Sequence, residues 1–309
     1  MRTDEPEPGD APGLARQPPP GRELVSPQAP AARPSRAEQL AARDSYRETA
    51  AASERAARDR DSGRRAWSQA LPGLRAAWNE HKQRYPEHTR PEPRTGPDGS
   101  WTCFGHRKLD PGQNAEAAKA RADLTDEASQ RILPALRRVE AADPERKLAG
   151  LQHMIKGEDR LKEKLADELS GKQKTVGETI QEIPDAVRFT LSYDSQHYCE
   201  GVLADVQRLK KEGFVLIKLK NLWADGQYKG INSQWRIPDT GTRFEMQFHT
   251  PESLMAKELT HEAYAKIRSI DAAPAERRDA RAFQRHVNEF LSTPPGTDHI
   301  KDYPEKSDA

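Results

Sequence analysis

Cysteine is nearly missing from this sequence. Only Cys103 and Cys199 occur among 309 residues, too few and too far apart for a zinc site or a disulfide framework. Each reads as a lone thiol. A reducing cytosol is therefore the expected compartment, with export by a non-classical route as the alternative. Long apolar runs are missing too. None approaches the ~18 residues that a membrane span needs, and the opening Met1-Arg2-Thr3-Asp4-Glu5-Pro6 has no apolar stretch of the secretory kind. No membrane partner is expected. Charge of one sign is not in excess either. Fifty basic residues face forty-nine acidic ones, a net charge of +1, which gives no global pull toward nucleic acid or anionic lipid. Hydrophobic residues make up 34% and aromatic ones 6%, against 32% charged, and mean hydropathy is −0.97. A chain this polar cannot be packed core throughout, so part of it is expected to be disordered.

What is present is unevenly placed. Nine of the 24 prolines lie in residues 1–40, where the bulky apolar residues are Leu14, Leu24, Val25 and Leu40. Residues 1–64 read as a disordered Pro/Ala/Arg-rich leader, although the Ala/Arg/Glu content from Ala37 to Arg65 favours a solvated helix. Residues 65–112 read as an accessory or partly ordered segment. In it Trp67, Leu71, Leu74 and Trp78 fall at i, i+4, i+7 and i+11, one face of a helix despite Pro72. On this reading, residues 1–112 are separable from the part that carries the chemistry.

Residues 113–292 hold the periodic part, and 293–309 a polar tail. Thr125 and Asp126 predict a helix start, and Pro144 a second helix with Leu148, Leu151 and Ile155 on one side. A further helical run, Arg160 to Leu169, closes at Ser170-Gly171. The period then changes from 3.6 to 2. Strands are predicted at about 186–192, 214–220, 230–237 and 242–249, with a helix from Tyr198 to Gly213. Thr250-Pro251 opens a helix to about Ser269, and another spans about 274–291. The pattern is α+β, helices packed around a small mixed sheet.

The last strand is the most informative. Phe244, Met246 and Phe248 point one way, so Arg243, Glu245, Gln247 and His249 point the other. That face is either a solvated edge or a site. In the following helix Lys257, His261, Tyr264 and Arg268 form a polar stripe. Tyr228 lies between Gly226 and Gly230, as a turn plug or a stacking platform. Upstream stand Arg160, Lys162, Lys164, Lys172, Lys174 and Arg188. There is no HExxH, no GxxxxGK loop, no Gly-x-Ser-x-Gly elbow and no His-Asp dipeptide. A nucleotide enzyme of this composition grips phosphates with Arg and Lys side chains.

The segments Asp185–Thr190, Trp223–Ser233, Phe244–Thr250 and His261–Tyr264 together resemble the RelA/SpoT synthetase domain. The order and spacing are similar to its compact members: small alarmone synthetases, related toxins and actinobacterial nucleotide 3′-pyrophosphokinases. The resemblance covers about residues 148–270. It implies a nucleotidyltransferase-related fold and Mg²⁺-dependent transfer of the β,γ-pyrophosphate of ATP to a ribose 3′-hydroxyl, giving (p)ppGpp- or (p)ppApp-type products. It implies Glu245 as catalytic carboxylate and metal ligand, and Asp185 as second metal ligand, two positions after Ile183, where the family's aspartate usually falls. His261 joins them as a catalytic candidate. Tyr228 is implied as the base-stacking ring, Arg160 and Lys162 as the ATP clamp, and Arg188 and Lys220 as phosphate contacts. Lys164, Lys172, Lys174 and Gln247 complete the nucleotide-binding set, with Asn232 where many members have histidine and His249 where many have arginine. The expected partner is a guanine or adenine nucleotide. The alternatives are a toxin acting on the 3′ end of tRNA, with an immunity or antitoxin protein, and a non-enzymatic nucleotide-binding module.

Overall fold

The computed structural model describes residues 35–86, 92–104, 107–269 and 271–304. The chain divides into two compact units, residues 1–50 and 51–309. In the first, the described residues are the opening turns of a helix, α1 (Arg36–Arg84). Residues 1–34 of the expected leader lie outside the described residues, and the expected boundary at 64/65 falls inside α1, where alanine, arginine and glutamate favour helix.

In the second unit a small antiparallel sheet follows α1: β1 (Arg94–Thr95), β2 (Trp101–Cys103) and β3 (Arg107–Leu109). Asp110 and Gln113 then form a capping box with Pro111 at the first helical position, and α2 (Pro111–Glu127) begins. It continues through a π turn into α3 (Leu133–Ala141). Thr125 is therefore not a helix start. The upstream cap has already begun the helix, and the Thr125 hydroxyl donates back to Arg121 O at 2.8 Å.

The helix expected from Pro144 is instead a strand, β4 (Arg146–Ala149). Pairing overrides its helical spacing: Arg146 lies opposite Tyr193 and Ala149 opposite Thr190, and Gly150 at φ 65° ends the strand. The buried Arg146 guanidinium pairs with buried Asp205, which also accepts from Tyr193 Oη at 2.9 Å. Such a pair fixes register more surely than it adds stability.

The remaining elements follow the predicted order, with one short helix at Val176–Gln181 that the spacing does not mark. They are α4 (Glu158–Leu169), α5 (Val176–Gln181), β5 (Arg188–Tyr193), α6 (Tyr198–Lys211), β6 (Val215–Asn221), β7 (Ile231–Arg236) and β8 (Arg243–His249). Then come α7 (Pro251–Leu259), α8 (His261–Arg268) and α9 (Pro274–Glu289). The helix expected from 250 to 269 is broken at Thr260, whose hydroxyl bonds back to Ala256 O at 2.8 Å. The sheet is mixed, in the order β4-β5-β8-β7-β6, with β5 and β8 parallel. The fold is α+β.

One face of this sheet is apolar. Phe189, Leu191, Ile231, Trp235, Phe244, Met246 and Phe248 are buried there in a core that also takes in Leu136, Leu161, Leu165, Val202 and Leu209. A second core joins Trp67, Leu74 and Trp78 of α1 to Ala256, Ala263, Phe283 and Val287. The α1 face predicted from spacing is thus buried against α7–α9. Part of the expected polar tail is also docked: Leu219 and Tyr303 exchange both backbone hydrogen bonds at the outer edge of β6. No helix among the described residues is long and apolar enough to cross a membrane.

Segment 94–109 bears directly on α4. Asp159, Glu163 and Asp167 stand at i, i+4 and i+8 on one side of that helix. They accept from Trp101 Nε1 (3.1 Å), Cys103 Sγ (3.3 Å) and Arg107 Nε (2.6 Å). Trp101 and Leu109 are buried in the main core. The described residues between 94 and 112 are therefore part of the body that positions α4, and the expected cut at 112 passes through it. A chain beginning at residue 113 is predicted not to fold, and Trp101→Ala to lose ~3–5 kcal/mol, the usual cost of truncating a buried tryptophan. Urea unfolding of both, read by circular dichroism, checks this. A wild-type midpoint for the shortened chain would detach the segment from the core.

Candidate active site

The opposite face of the sheet is polar, and its strand register arranges it in two transverse rows. Arg188 pairs with Glu245, Glu245 with Gln234 and Gln234 with Lys218. The next row runs Thr190, Gln247, Asn232, Lys220. Paired residues in a sheet project to the same side, so Arg188, Glu245, Gln247, Asn232 and Lys220 share one surface.

A chain of contacts crosses that surface. Lys257 Nζ donates to Gln247 Oε1 at 2.5 Å, and Gln247 Nε2 donates to Glu245 Oε1. Arg188 Nε approaches the same Glu245 oxygen at 3.2 Å, and its Nη2 lies 3.5 Å from Asp185 Oδ2. Asp185 is then clamped by Lys156 (2.9 Å) and Lys164 (2.6 Å). Positive and negative groups alternate along the whole chain.

The electrostatics follow from burial and these contacts. Burial works against ionising Asp185, but the hydrogen bonds and charges of Lys156 and Lys164 outweigh it and hold the carboxyl at about 2. Burial, with the charge of Arg188, lowers Lys257 to about 8 against the pull of Glu245 and Glu258. Burial also lowers His261, helped by the charges of Arg188, Lys257 and Arg160. His261 and Arg160 therefore belong to the same cationic neighbourhood.

His249 differs from its neighbours. Its ring is fully buried, and burial, with the Lys257 charge, pushes it down to about 3. The imidazole is neutral at ordinary pH. Its Nε2 lies 2.7 Å from Tyr228 Oη, which donates to Asn232 Oδ1 at 2.7 Å, and its Nδ1 lies 2.9 Å from Ser253 Oγ. Ser253 also completes the Thr250 capping box of α7, so the helix start and the ring are tied together. Gly230, at φ 154°, lets the chain pass: a Cβ there would fall 2.8 Å from the His249 ring. Tyr228 is half-buried and meets His249 edge to face at 5.3 Å. Burial, then the Glu245 charge, raises its hydroxyl above the usual range.

The remaining candidates are placed as follows. Arg160 is exposed and pairs with Glu163 at 2.9 Å. Lys162 is two residues on, hence turned by ~200° about α4, and is buried against Glu158 at 2.6 Å. The structure brings Arg160 and Lys164 to one side of α4, not Arg160 and Lys162. Lys172 and Lys174 pair with Glu168 and Glu182 at the surface and make no contact with the sheet-face chain. Lys220 is on the second row and pairs with Asp302 at 3.5 Å. Sequence reasoning left out Lys156 and Ser253, which no periodicity marks. It placed Lys257 in the polar stripe but not in the site.

Magnesium takes oxygen ligands, commonly one or two carboxylates completed by phosphates and water. Glu245 fits that donor chemistry, since only Oε1 is held by described neighbours. Asp185 fits it with a rearrangement, because Lys156 and Lys164 hold both its oxygens. Among the described residues no group of three or more His, Cys, Asp or Glu forms a ready-made cation site.

No family model matches the chain, and no curated protein matches it. Solved structures do. A GTP pyrophosphokinase family protein from Streptococcus pneumoniae aligns at 12% identity and TM-score 0.37, over 56% of this chain and 86% of that one. The protein smu.1046c from Streptococcus mutans UA159 aligns at 12% and 0.36, over 56% and 87%. Small alarmone synthetase 1 from Bacillus subtilis aligns at 11% and 0.34, over 57% and 88%.

The Asp185 clamp has a pH signature. Its folded-state value lies below the ordinary carboxylate range, so the stability it contributes is full above about pH 4 and is lost as pH falls toward 2. A shift of this size corresponds to about 2 kcal/mol. Asp185→Asn is expected to flatten that part of the acid limb in urea unfolding at pH 2 to 5. An unchanged limb would separate Asp185 from the lysines in solution.

Proposed function

We propose that this chain is an ATP-dependent nucleotide 3′-pyrophosphokinase, synthesising (p)ppGpp- or (p)ppApp-type products. The observation that carries this reading is the Glu245 carboxylate set between Arg188 and Gln247, in a surface lined by Lys156, Lys164 and Lys257. A polyphosphate donor needs several cations, and a hydroxyl acceptor needs one base. Phosphoryl-type transfer is mostly positioning and charge neutralisation, and this surface offers both.

In the proposed step the acceptor's 3′-oxygen attacks the β-phosphorus of ATP. The bond to the α–β bridging oxygen breaks, and AMP leaves with that oxygen. Glu245 takes the 3′-hydroxyl proton. Arg188, Lys164 and Arg160 neutralise the donor phosphates, Lys164 leaving one Asp185 oxygen free as it turns to them while Lys156 stays on the other. Magnesium, when bound at Glu245 with Asp185 as the second carboxylate, supplies further charge neutralisation on the phosphates. The ring of Tyr228 serves as the platform for the acceptor base. Lys220 and Asn232 line the acceptor side, and His249, being neutral, supports Tyr228 rather than a phosphate. His261 stands beside the donor cations.

Purified protein with Mg²⁺ and γ-labelled ATP, offered GTP, GDP, ADP, AMP and tRNA separately, tests the reading. Labelled mononucleotide is expected. Label on tRNA alone would select the tRNA 3′ end as substrate, and no label on any acceptor would favour a non-enzymatic module. Glu245→Gln keeps shape and removes the base, so transfer is expected to fall by at least ~10²-fold with folding intact. Near wild-type turnover would take Glu245 out of the mechanism.

Tyr228 separates two roles. Removing its ring in Tyr228→Ala is expected to weaken acceptor binding by ~1–3 kcal/mol, the scale of base–aromatic stacking, and donor binding little. Tyr228→Phe keeps the ring but leaves His249 and Asn232 without their shared partner, costing ~1–3 kcal/mol of stability instead. Calorimetric binding of each nucleotide, with thermal melts of both variants, checks the division. Equal loss of donor and acceptor binding in Tyr228→Ala would make the ring a packing element only.

A further inference from the structure

We propose that Lys257 is a positioning residue for Glu245, acting through the side-chain amide of Gln247. The inference rests on the pyrophosphokinase reading for its kinetic consequence, though not for its geometry.

A glutamine amide has two ends of opposite character, a donor NH2 and an acceptor oxygen. Turned one way, Gln247 donates to Glu245. Turned the other way, it sets its carbonyl oxygen against a carboxylate oxygen, two lone-pair acceptors facing each other. The β8 backbone does not choose between them, because rotation about the last side-chain bond exchanges the ends. Lys257 makes the choice. An ammonium group has three donors and no acceptor, so Nζ at 2.5 Å admits only Oε1 as its partner. The NH2 end is thereby left for Glu245.

The surroundings hold Lys257 in that position. It follows Ala256, which is buried in the helical core with Trp67 and Trp78, so α7 cannot roll to withdraw the side chain. The titratable groups around it are Glu245 and the neutral His249 on β8, Arg188 on β5, His261 on α8 and Glu258 on its own helix. Arg188 reaches Glu245 from the other side. Glu245 is thus held at Oε1 by one hydrogen bond, from the Gln247 amide, with the Arg188 charge 3.2 Å from the same oxygen, and these two contacts aim Oε2. Without Lys257, one of the two becomes free to flip. The carboxylate then keeps its charge but loses its aim, which affects turnover rather than binding.

Lys257→Met keeps the stem as far as the ε position, removes the donor and spares the fold, since a buried ammonium is exchanged for an apolar group. Removing a group that orients a catalytic residue typically costs ~10- to 100-fold in activity. The expected result is a fall of that size in kcat, with KM for ATP and for acceptor changed less than about threefold, and partial recovery in Lys257→Arg. In a Gln247→Met background the same substitution is expected to add little, because the two act as one unit. The amide is also followed without any turnover, by nitrogen-15 spectra of the Gln247 side chain. Wild type is expected to show one protected NH2 pair that Lys257→Met broadens or shifts. If the spectra change as stated while wild type transfers nothing, the pyrophosphokinase reading fails and the positioning contact stands. An unchanged Gln247 signal in Lys257→Met, or a loss confined to KM, overturns the proposal.

Discussion

Parallel pairing of β5 with β8 is the constraint from which the polar face is built. It sets Arg188 opposite Glu245 and Thr190 opposite Gln247, so a cation and a carboxylate from segments 57 positions apart meet without any long loop to hold them. A parallel pair needs a crossover, and here α6, β6 and β7 lie within it. The antiparallel return of β7 onto β8 then adds Gln234 and Asn232 to the same rows. A one-residue slip would send Arg188 into the core and Phe189 to the surface. The apolar face, with Phe189, Leu191, Phe244 and Met246 buried together, makes that slip very costly. The hydrophobic core is thus what keeps the polar face in register.

The site is a balance of charges rather than a preformed cage. Lys156 and Lys164 hold Asp185, Arg188 bridges Asp185 and Glu245, and Lys257 ends the chain through Gln247. Each cation is provisionally satisfied by a carboxylate or an amide oxygen. His249 stands outside this chain of charges, neutral and held between Tyr228 and Ser253.

Much of this was legible from residue order. Strict alternation in Phe244–His249 separated the two faces of β8 correctly, although Gln247 and His249 on the polar face are themselves buried under Lys257, Tyr228 and Ser253. Spacing alone marked the buried face of Trp67, Leu74 and Trp78, and Thr250-Pro251 marked the start of α7. The failures have a common cause in long-range contacts. Leu148, Leu151 and Ile155 suggest a helix locally, but Arg146–Ala149 gains a strand partner in β5 and a buried counter-ion in Asp205. The family resemblance pairs Lys162 with Arg160, whereas in α4 it is Lys164 that shares a side with Arg160, and Lys162 is buried against Glu158. Lys156 stands beside Gly157, outside any repeat, and only the folded chain brings it to Asp185.

The two sides of α4 carry a consequence of their own. Its acidic row, Asp159, Glu163 and Asp167, is read by the small sheet at Trp101, Cys103 and Arg107, while Lys164 reaches Asp185 beside the polar face of the main sheet. The helix therefore acts as an axle keyed at one side and loaded at the other. Substitutions along it are felt one contact at a time, but a single inserted residue turns everything beyond it by ~100°. No placement of the helix then seats both rows. By that phase, a change of length between residues 159 and 167 disrupts both rows, whereas one in the loops at either end of α4 does not.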